Sequence, residues 1–255
     1  MENCVLKSPL SKGIMRLTFN RKSHRNAINS QLLHELNEAL DEAERDSACS
    51  IVILEGQDGV FCTGMDLKEA MYFDDQTALN PMSMQYMRTL KRFASTRLII
   101  IASVDGQVIA GGVGFCAASD LVIATPRSQF SLSEAIWGLL PAMVLPYLIR
   151  RTGFQPAYRM TLTTMALTAE EARLVRLVDE LDEQPERWIR KWSQSLERVT
   201  PSTVGHIKGY FRKIGMITDE MERLAVEEIS RLVTLPEVKS NIENFLEHQR
   251  FPWNK

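Results

Sequence analysis

One stretch of the chain combines glycines, small residues and a single carboxylate in an order that could support proton transfer. It runs from Asp105 to Pro141 and contains Gly111, Gly112, Gly114 and, further on, Glu134. Glycine lets a backbone pass close to a ligand, and a helix that starts there presents free N–H groups. Amides aimed at one point stabilise an oxyanion, and a nearby carboxylate can move a proton. Taken alone, such a segment is more often an ordinary tight turn followed by a solvated glutamate.

A second loop of similar character lies earlier in the chain. Ile51 to Leu54 is a continuous apolar run, which is typical of a buried strand. The segment VFCTGMDLKEA follows it, and Gly64 there precedes a predicted helix start at Met65 and Asp66. The amides of this loop could therefore face a ligand as well, although Asp66 also suits the positive end of a helix dipole. Two amide-bearing loops and a lone glutamate together favour a catalytic site over an ordinary turn.

Composition narrows the class of protein. The chain has 255 residues, 45% of them hydrophobic and 24% charged, which is enough for one large domain. A net charge of −2 gives no support for nucleic-acid binding. We see neither a signal peptide nor a run approaching the ~20 apolar residues of a membrane helix, so we expect a cytoplasmic protein. The four cysteines show no CxxC pair and no metal-ligand spacing, which predicts buried thiols and no metal site.

Hydrophobic periodicity predicts strands and helices in alternation, followed by helices alone. This order favours an α/β domain in which helices pack on sheets. Predicted strands are Cys4 to Lys7, Ile14 to Phe19, Leu98 to Val104 and Leu121 to Ala124, and predicted helices begin at Ser30, Ser83, Pro185, Pro201, Asp219 and Pro236.

Two groups of basic residues could bind an anion or an acidic partner. Basic groups of this kind are usually solvated faces, but a basic loop before a helix can also hold a phosphate. The sequence does not rank these alternatives. The first group is Arg21, Lys22 and Arg25, and the second is His206, Lys208, Arg212 and Lys213.

Four motifs together resemble the crotonase (enoyl-CoA hydratase/isomerase) superfamily across essentially the whole chain. They are RKSHRNAINSQLLHEL, VFCTGMDL, GQVIAGGVGF and FSLSEAIWGLLPA. The resemblance implies a spiral of ββα units over residues 1–200 and a C-terminal helical region, 201–255, that packs a homotrimer or hexamer. It implies that Met65 and Gly112 each give one amide to a thioester oxygen. Many hydratases carry a second glutamate two residues after the oxyanion glycine, where this chain has Gly114.

A narrower resemblance is to the dehydratases of polyketide β-branching cassettes. The run FSLSEAIWGLLPAMVLPYLIRRTG, the two glycine loops and the closing FPW carry it. It implies dehydration of 3-hydroxy-3-methylglutaryl on an acyl carrier protein (ACP) to 3-methylglutaconyl-ACP, which a sister crotonase then decarboxylates. The sister enzymes lack a carboxylate at position 134, so Glu134 favours the dehydratase. No cofactor is expected beyond the phosphopantetheine or CoA that carries the substrate.

Four further residues are candidates for substrate binding. Lys68, with Tyr72 nearby in sequence, could bind the free carboxylate of the acyl group. A surface lysine on a helix is an equally good explanation of Lys68. Arg25 and Ala27, in and just after the polar segment Asn20 to Asn26 that precedes the predicted helix at Ser30, are the other two candidates.

Two other functions fit the same residues. A Δ3-Δ2 enoyl-CoA isomerase, or a related enzyme acting on a CoA thioester, can work with one glutamate at the position of Glu134. The carrier, free CoA or ACP, separates this alternative from the dehydratase. A non-enzymatic binding module of the same fold is the third alternative, and the retention of both glycine loops and Glu134 argues against it.

Overall fold

The computed structural model describes residues 3–11, 13–71, 79–215 and 217–254. The strands are β1 (Val5–Ser11), β2 (Ile14–Phe19), β3 (Ile51–Glu55), β4 (Val60–Cys62), β5 (Ile99–Val104), β6 (Gln107–Ile109), β7 (Leu121–Ala124), β8 (Gln129–Ser131), β9 (Leu167–Thr168) and β10 (Glu180–Leu181). The α-helices are α1 (Ser30–Arg45), α2 (Leu67–Met71), α3 (Pro81–Phe93), α4 (Gly111–Ala118), α5 (Leu145–Thr152), α6 (Phe154–Thr163), α7 (Ala169–Leu174), α8 (Glu186–Leu196), α9 (Pro201–Ile214), α10 (Asp219–Val233) and α11 (Pro236–His248). Short 3-10 helices cover Lys22–His24 and Glu134–Trp137.

Two sheets form the core, and from β3 to β8 successive strands alternate between them. The larger sheet has the order β1-β2-β3-β5-β7-β10, and the smaller has the order β4-β6-β8-β9. All pairings are parallel except β1 with β2 and β8 with β9. Each strand pair β3/β4, β5/β6 and β7/β8 thus contributes one strand to each sheet. The predicted spiral of ββα units is confirmed.

Local capping explains where several helices begin. The side chain of Asn29 accepts a hydrogen bond from the Leu32 amide at the start of α1, whose predicted apolar stripe is buried. α3 begins at Pro81, two residues before the predicted start at Ser83, because Asn80 caps it and proline fits the first helical position.

The helical C-terminal region begins where the sequence predicts. Thr200 caps α9 and Pro201 occupies its first position. The division into a core and a second region at this point stays a prediction, since α10 and α11 also pack on the core through Val226, Ile229 and Ile242. In the described part of the chain, no helix has the length and apolar character needed to cross a membrane.

The expectation that Lys208 lies on a solvated face, or docks a partner there, is wrong. Its side chain is buried, and Nζ donates to the carbonyl oxygens of Phe93 at 2.8 Å and Leu98 at 2.7 Å. It also forms an ion pair with Asp120 at 2.6 Å. The carbonyls at the end of α3 and before β5 lack strand or helix partners, and the lysine satisfies them. Arg212 is likewise committed within the fold, to the carboxylates of Asp219 and Glu222.

Candidate active site

The two glycine loops meet because the strands before them are neighbours. β4 and β6 pair in parallel, so the loops that follow leave the same edge of the small sheet. Gly64 has a φ of +86°, and a Cβ added to it would lie 2.6 Å from the Ala110 Cβ. A Cβ on Gly112 would lie 2.5 Å from the Cys62 carbonyl oxygen. The backbones therefore pack closely, and only glycine fits at these points.

Within the described residues, each loop has a backbone amide, that of Met65 or that of Gly112, for which no hydrogen-bond acceptor is found. Ile28 bridges the first loop in parallel, with its amide donating to Gly64 at 2.7 Å and its carbonyl accepting from Asp66 at 2.7 Å. The pairing directs the N–H of the intervening Met65 away from Ile28. Gly112 lies in the first turn of α4, where helix amides have no internal acceptor. Among the described residues, neither amide donates to another group, which supports the prediction that both can bind an oxyanion.

The turn into α4 is held in an uncommon backbone conformation. Ala110 caps the helix with φ +52° and ψ −119°, a region that residues other than glycine rarely adopt. Its amide donates to the Ser131 carbonyl at 2.8 Å, and its own carbonyl accepts from Val113 at 2.9 Å. Such a conformation costs on the order of 1–3 kcal/mol and persists only where the surrounding structure fixes it. The start of α4 is therefore rigidly placed.

Met65, Gly111 and Glu134 line one cavity of about 110 Å³. Most of its wall is apolar, so a charge inside it is poorly solvated. Helices α10 and α11 supply part of the wall through Ile229, Val233 and Ile242. The C-terminal helices thus help to enclose the site.

Glu134 has the properties of a proton carrier. It opens the 3-10 helix after β8, and its Oε2 is buried without a hydrogen-bond partner among the described residues. Burial raises the pKa of Glu134 to about 7, against smaller lowering effects of the backbone amides of Glu134 and Ser133. The protonated and ionised forms are then both populated near neutral pH, as acid–base catalysis requires.

Lys68 lies beside the cavity but not in its wall. It is exposed on α2, while Leu67 and Ala70 of the same helix line the cavity. Tyr72 lies outside the described residues. A role for Lys68 and Tyr72 in binding the acyl carboxylate stays a prediction.

The polar loop before α1 holds its basic residues in different ways. Arg21 is largely buried, donates to the Ala27 carbonyl, and pairs with Asp66 at 3.1 Å. Arg25 is exposed and its guanidinium donates to the Gln107 side chain. Neither Arg25 nor Ala27 lines the cavity. Arg21 is therefore engaged inside the fold, and of the two substrate-binding candidates only Arg25 presents its side chain at the surface.

The thiols near the site are buried, as expected from the sequence. All four cysteines are buried. Burial raises the pKa of Cys62 to about 12, so its thiol stays protonated at neutral pH. Cys62 therefore acts as a small packing residue behind Gly112.

Tyr86 is a residue of the site that sequence reasoning missed. It lines the cavity and is fully buried, and its hydroxyl donates to the Gly111 carbonyl at 2.5 Å. A Cβ added to Gly114 would overlap that hydroxyl. The space that a second glutamate would need is therefore filled. On an amphipathic helix such as α3, a tyrosine cannot be told from an ordinary core aromatic by its position alone.

The C-terminal FPW segment supports part of the cavity wall. The Trp137 ring lies in that wall, 4.8 Å from the Phe245 ring and 5.7 Å from the Phe251 ring, measured between centroids. Trp253 stacks on Phe251 at 4.9 Å. Residues near the end of the chain thus hold a side chain three positions after Glu134.

A family model, a curated relative and a crystal structure all match nearly the full length of this chain. Residues 10–255 match the family model for enoyl-CoA hydratase/isomerase. The bacillaene synthase dehydratase PksH of Bacillus subtilis is 31% identical over 250 residues, covering 98% of this chain and 96% of PksH. The crystal structure of PksH, a polyketide biosynthesis enoyl-CoA hydratase, has a TM-score of 0.89 and 30% identity, covering 99% of this chain and 100% of that one.

A second relative, named for a CoA thioester, has the same sequence identity to this chain as PksH, but the alignment covers less of both proteins. The 2,3-dehydroadipyl-CoA hydratase of Escherichia coli is 31% identical over 169 residues, which is 66% of this chain and 65% of that protein. Because the family match spans almost the whole chain and the paired glycine loops face a common cavity with Glu134, the chain belongs to the enoyl-CoA hydratase/isomerase family.

Proposed function

We propose that this chain dehydrates 3-hydroxy-3-methylglutaryl-ACP to 3-methylglutaconyl-ACP. The observation that carries the proposal is one carboxylate, Glu134, with a pKa of about 7, facing a cavity that Met65 and Gly111 also line. Among the described residues lining this cavity, Glu134 is the only carboxylate. The similarity to PksH, a dehydratase, over almost the full length of both chains supports this reaction class.

Each step of the dehydration has a group to perform it. The amides of Met65 and Gly112 bind the thioester oxygen. Ionised Glu134 takes the α-proton, and the electron pair of the C–H bond moves onto the thioester oxygen as an enolate. Protonated Glu134 then gives that proton to the β-hydroxyl. As the C–O bond breaks, the enolate electrons form the α,β double bond, water leaves, and Glu134 is ionised again.

The free carboxylate of the substrate needs a cationic partner, and we assign Lys68 to it. Lys68 is exposed on the helix whose other residues line the cavity. Lys68→Met should raise KM with little effect on kcat, because the contact is equally strong in the ground state and the transition state. Equal KM values for the acidic substrate in both proteins would contradict the assignment.

The partners follow from the substrate. An ACP delivers the acyl group, a sister decarboxylase consumes the product, and the chain acts as a homotrimer or hexamer. We further propose that Arg25, with its exposed side chain, and Ala27 meet the phosphopantetheine arm.

The test is intact-mass spectrometry of 3-hydroxy-3-methylglutaryl-ACP incubated with the protein, with the sister decarboxylase added to trap the product. Loss of one water should appear with the wild type and disappear with Glu134→Gln. Glu170→Gln, the same change at an exposed glutamate of α7, is the matched control and should remain active.

Other outcomes would point to the alternatives. Turnover of a 3-enoyl-CoA without any change in the ACP substrate would support an isomerase, for which one carboxylate also suffices. A Glu134→Gln variant that matches the wild type in both assays would support a binding module without enzymatic activity.

A further inference from the structure

The hydroxyl of Tyr86 contacts the peptide unit between Gly111 and Gly112, which carries one of the two predicted oxyanion donors. Its acceptor is the carbonyl of Gly111, at 2.5 Å. That carbonyl and the N–H of Gly112 belong to the same planar peptide bond. In a trans peptide the two groups point in opposite directions. Fixing the carbonyl on Tyr86 therefore fixes the direction of the Gly112 N–H.

The same hydrogen bond strengthens the amide as a donor. A hydrogen bond to a carbonyl polarises its peptide unit and makes the N–H on the other side a better donor, especially in an apolar interior. Tyr86 is fully buried. Burial, with a smaller effect from nearby Glu134, raises the pKa of Tyr86 well above its ordinary value, so the hydroxyl stays protonated and able to donate.

Aromatic packing fixes the position of the Tyr86 ring. Its ring packs edge-on against Phe115 of α4, with the centroids 5.3 Å apart. Phe115 in turn lies 5.8 Å from Phe93, on the same helix as Tyr86. α3 and α4 are thus locked together by aromatic packing, and the hydroxyl reaches α4 at its first turn.

The hydrogen bond from Tyr86 to Gly111 requires a glycine at position 114. A Cβ at that position would overlap the Tyr86 hydroxyl and lie 3.2 Å from the ring carbon that carries it. The hydroxyl and a side chain at position 114 therefore exclude each other. A carboxylate side chain at position 114 is therefore incompatible with the hydrogen bond from Tyr86 to Gly111.

We propose that Tyr86 is a positioning residue for the oxyanion site, which orients and polarises the 111–112 peptide from the space that Gly114 leaves open. This inference rests on the proposed use of the Gly112 amide as an oxyanion donor. It does not depend on the identity of the acyl group or its carrier.

The expected effect is on the reaction rate and not on binding. Removing an oxyanion donor altogether costs ~10²–10³ in rate. In Tyr86→Phe the donor remains but is less well oriented and less polarised, so we expect kcat to fall by about 10- to 100-fold with KM almost unchanged.

The decisive measurement is the infrared band of a bound thioester carbonyl. The probe is 3-methylglutaryl-pantetheine labelled with ¹³C at the thioester carbonyl, which lacks a β-hydroxyl and cannot be dehydrated. In the wild type the band should shift to lower frequency on binding, because the amides polarise the carbonyl. In Tyr86→Phe that shift should become clearly smaller, because Gly112 donates less well while Met65 still donates, and the probe should still bind.

Two further variants separate positioning from stability. Tyr147→Phe is the matched control, since Tyr147 is also buried and donates to Glu222 at 2.8 Å outside the cavity lining. It should lose stability but keep both kcat and the shifted band. Gly114→Ala should displace the Tyr86 hydroxyl and weaken the shift as Tyr86→Phe does. The double variant should be no worse than either single variant, because both remove the same contact.

The band shift and the dehydration assay together separate the positioning role from the proposed reaction. A full band shift in Tyr86→Phe would overturn this inference and leave the proposed reaction intact. A wild-type band without any shift would overturn both the inference and the oxyanion assignment. A smaller shift in Tyr86→Phe, with a wild type that fails to dehydrate the ACP substrate, would support the inference and reject only the proposed substrate.

Discussion

Replacing Glu134 with glutamine should change how the stability of the protein depends on pH. The folded pKa of Glu134 is about 7, above the ordinary value of 4.5 expected in the unfolded chain. Between these values the folded state binds more protons, so this glutamate lowers stability as pH rises from about 4.5 to 7. The shift of about 2.5 units corresponds to about 3 kcal/mol at 1.36 kcal/mol per unit.

The comparison of the two proteins isolates this effect. Every other titrating group is present in both, so the difference in free energy of unfolding, Glu134→Gln minus wild type, should rise by about 3 kcal/mol between about pH 4.5 and 8. Urea unfolding at a fixed protein concentration, followed by circular dichroism at several pH values, measures it. A difference that does not change with pH would show that burial does not raise the pKa of Glu134. The acid–base argument would then lose its basis.

Three further results are expected. The kcat/KM of dehydration should rise with pH up to about 7 and then level off, because Glu134 must be ionised to take the α-proton; a profile flat from about pH 5 to 8 would contradict this. Gly64→Ala should destabilise the fold by about 2–4 kcal/mol and reduce activity, since the φ of Gly64 is +86° and the new Cβ would lie 2.6 Å from that of Ala110. A denaturant titration that gives the variant the same free energy of unfolding as the wild type would contradict this close packing. Lys208→Met should cost about 3–5 kcal/mol by leaving Asp120 unpaired, and Lys208→Met with Asp120→Asn should recover part of the loss; equal stability of the single and double variants would show that the pair is not coupled.

The glycine loops and the candidate carboxylate, Glu134, could be identified from the sequence because their signals are local. A continuous apolar run marks β3, and the glycines after β4 and at the start of α4 mark places where the backbone must come close to something else. The helix caps at Asn29 and Thr200 lie within three residues of the amides they bind, so they too leave a local pattern.

Other features depend on residues far apart in the chain. The sequence pattern predicts a solvated Lys208, but this lysine binds a carbonyl 115 residues away in Phe93. The Ile229 and Ile242 side chains that wall the cavity follow an ordinary amphipathic pattern, which does not say what the apolar face covers.

The sequence by itself determined which residues could do chemistry in this protein, because backbone freedom at glycine and the acidity of a carboxyl group are properties of single residues. Only the tertiary structure decided what those residues became. Packing among distant elements buries the Oε2 of Glu134 and raises the pKa of this side chain to about 7. It also brings the Tyr86 hydroxyl into the space beside Gly114, 25 residues along the chain from the carbonyl it binds. Burial and shape complementarity arise from many long-range contacts at once, and no local pattern encodes them.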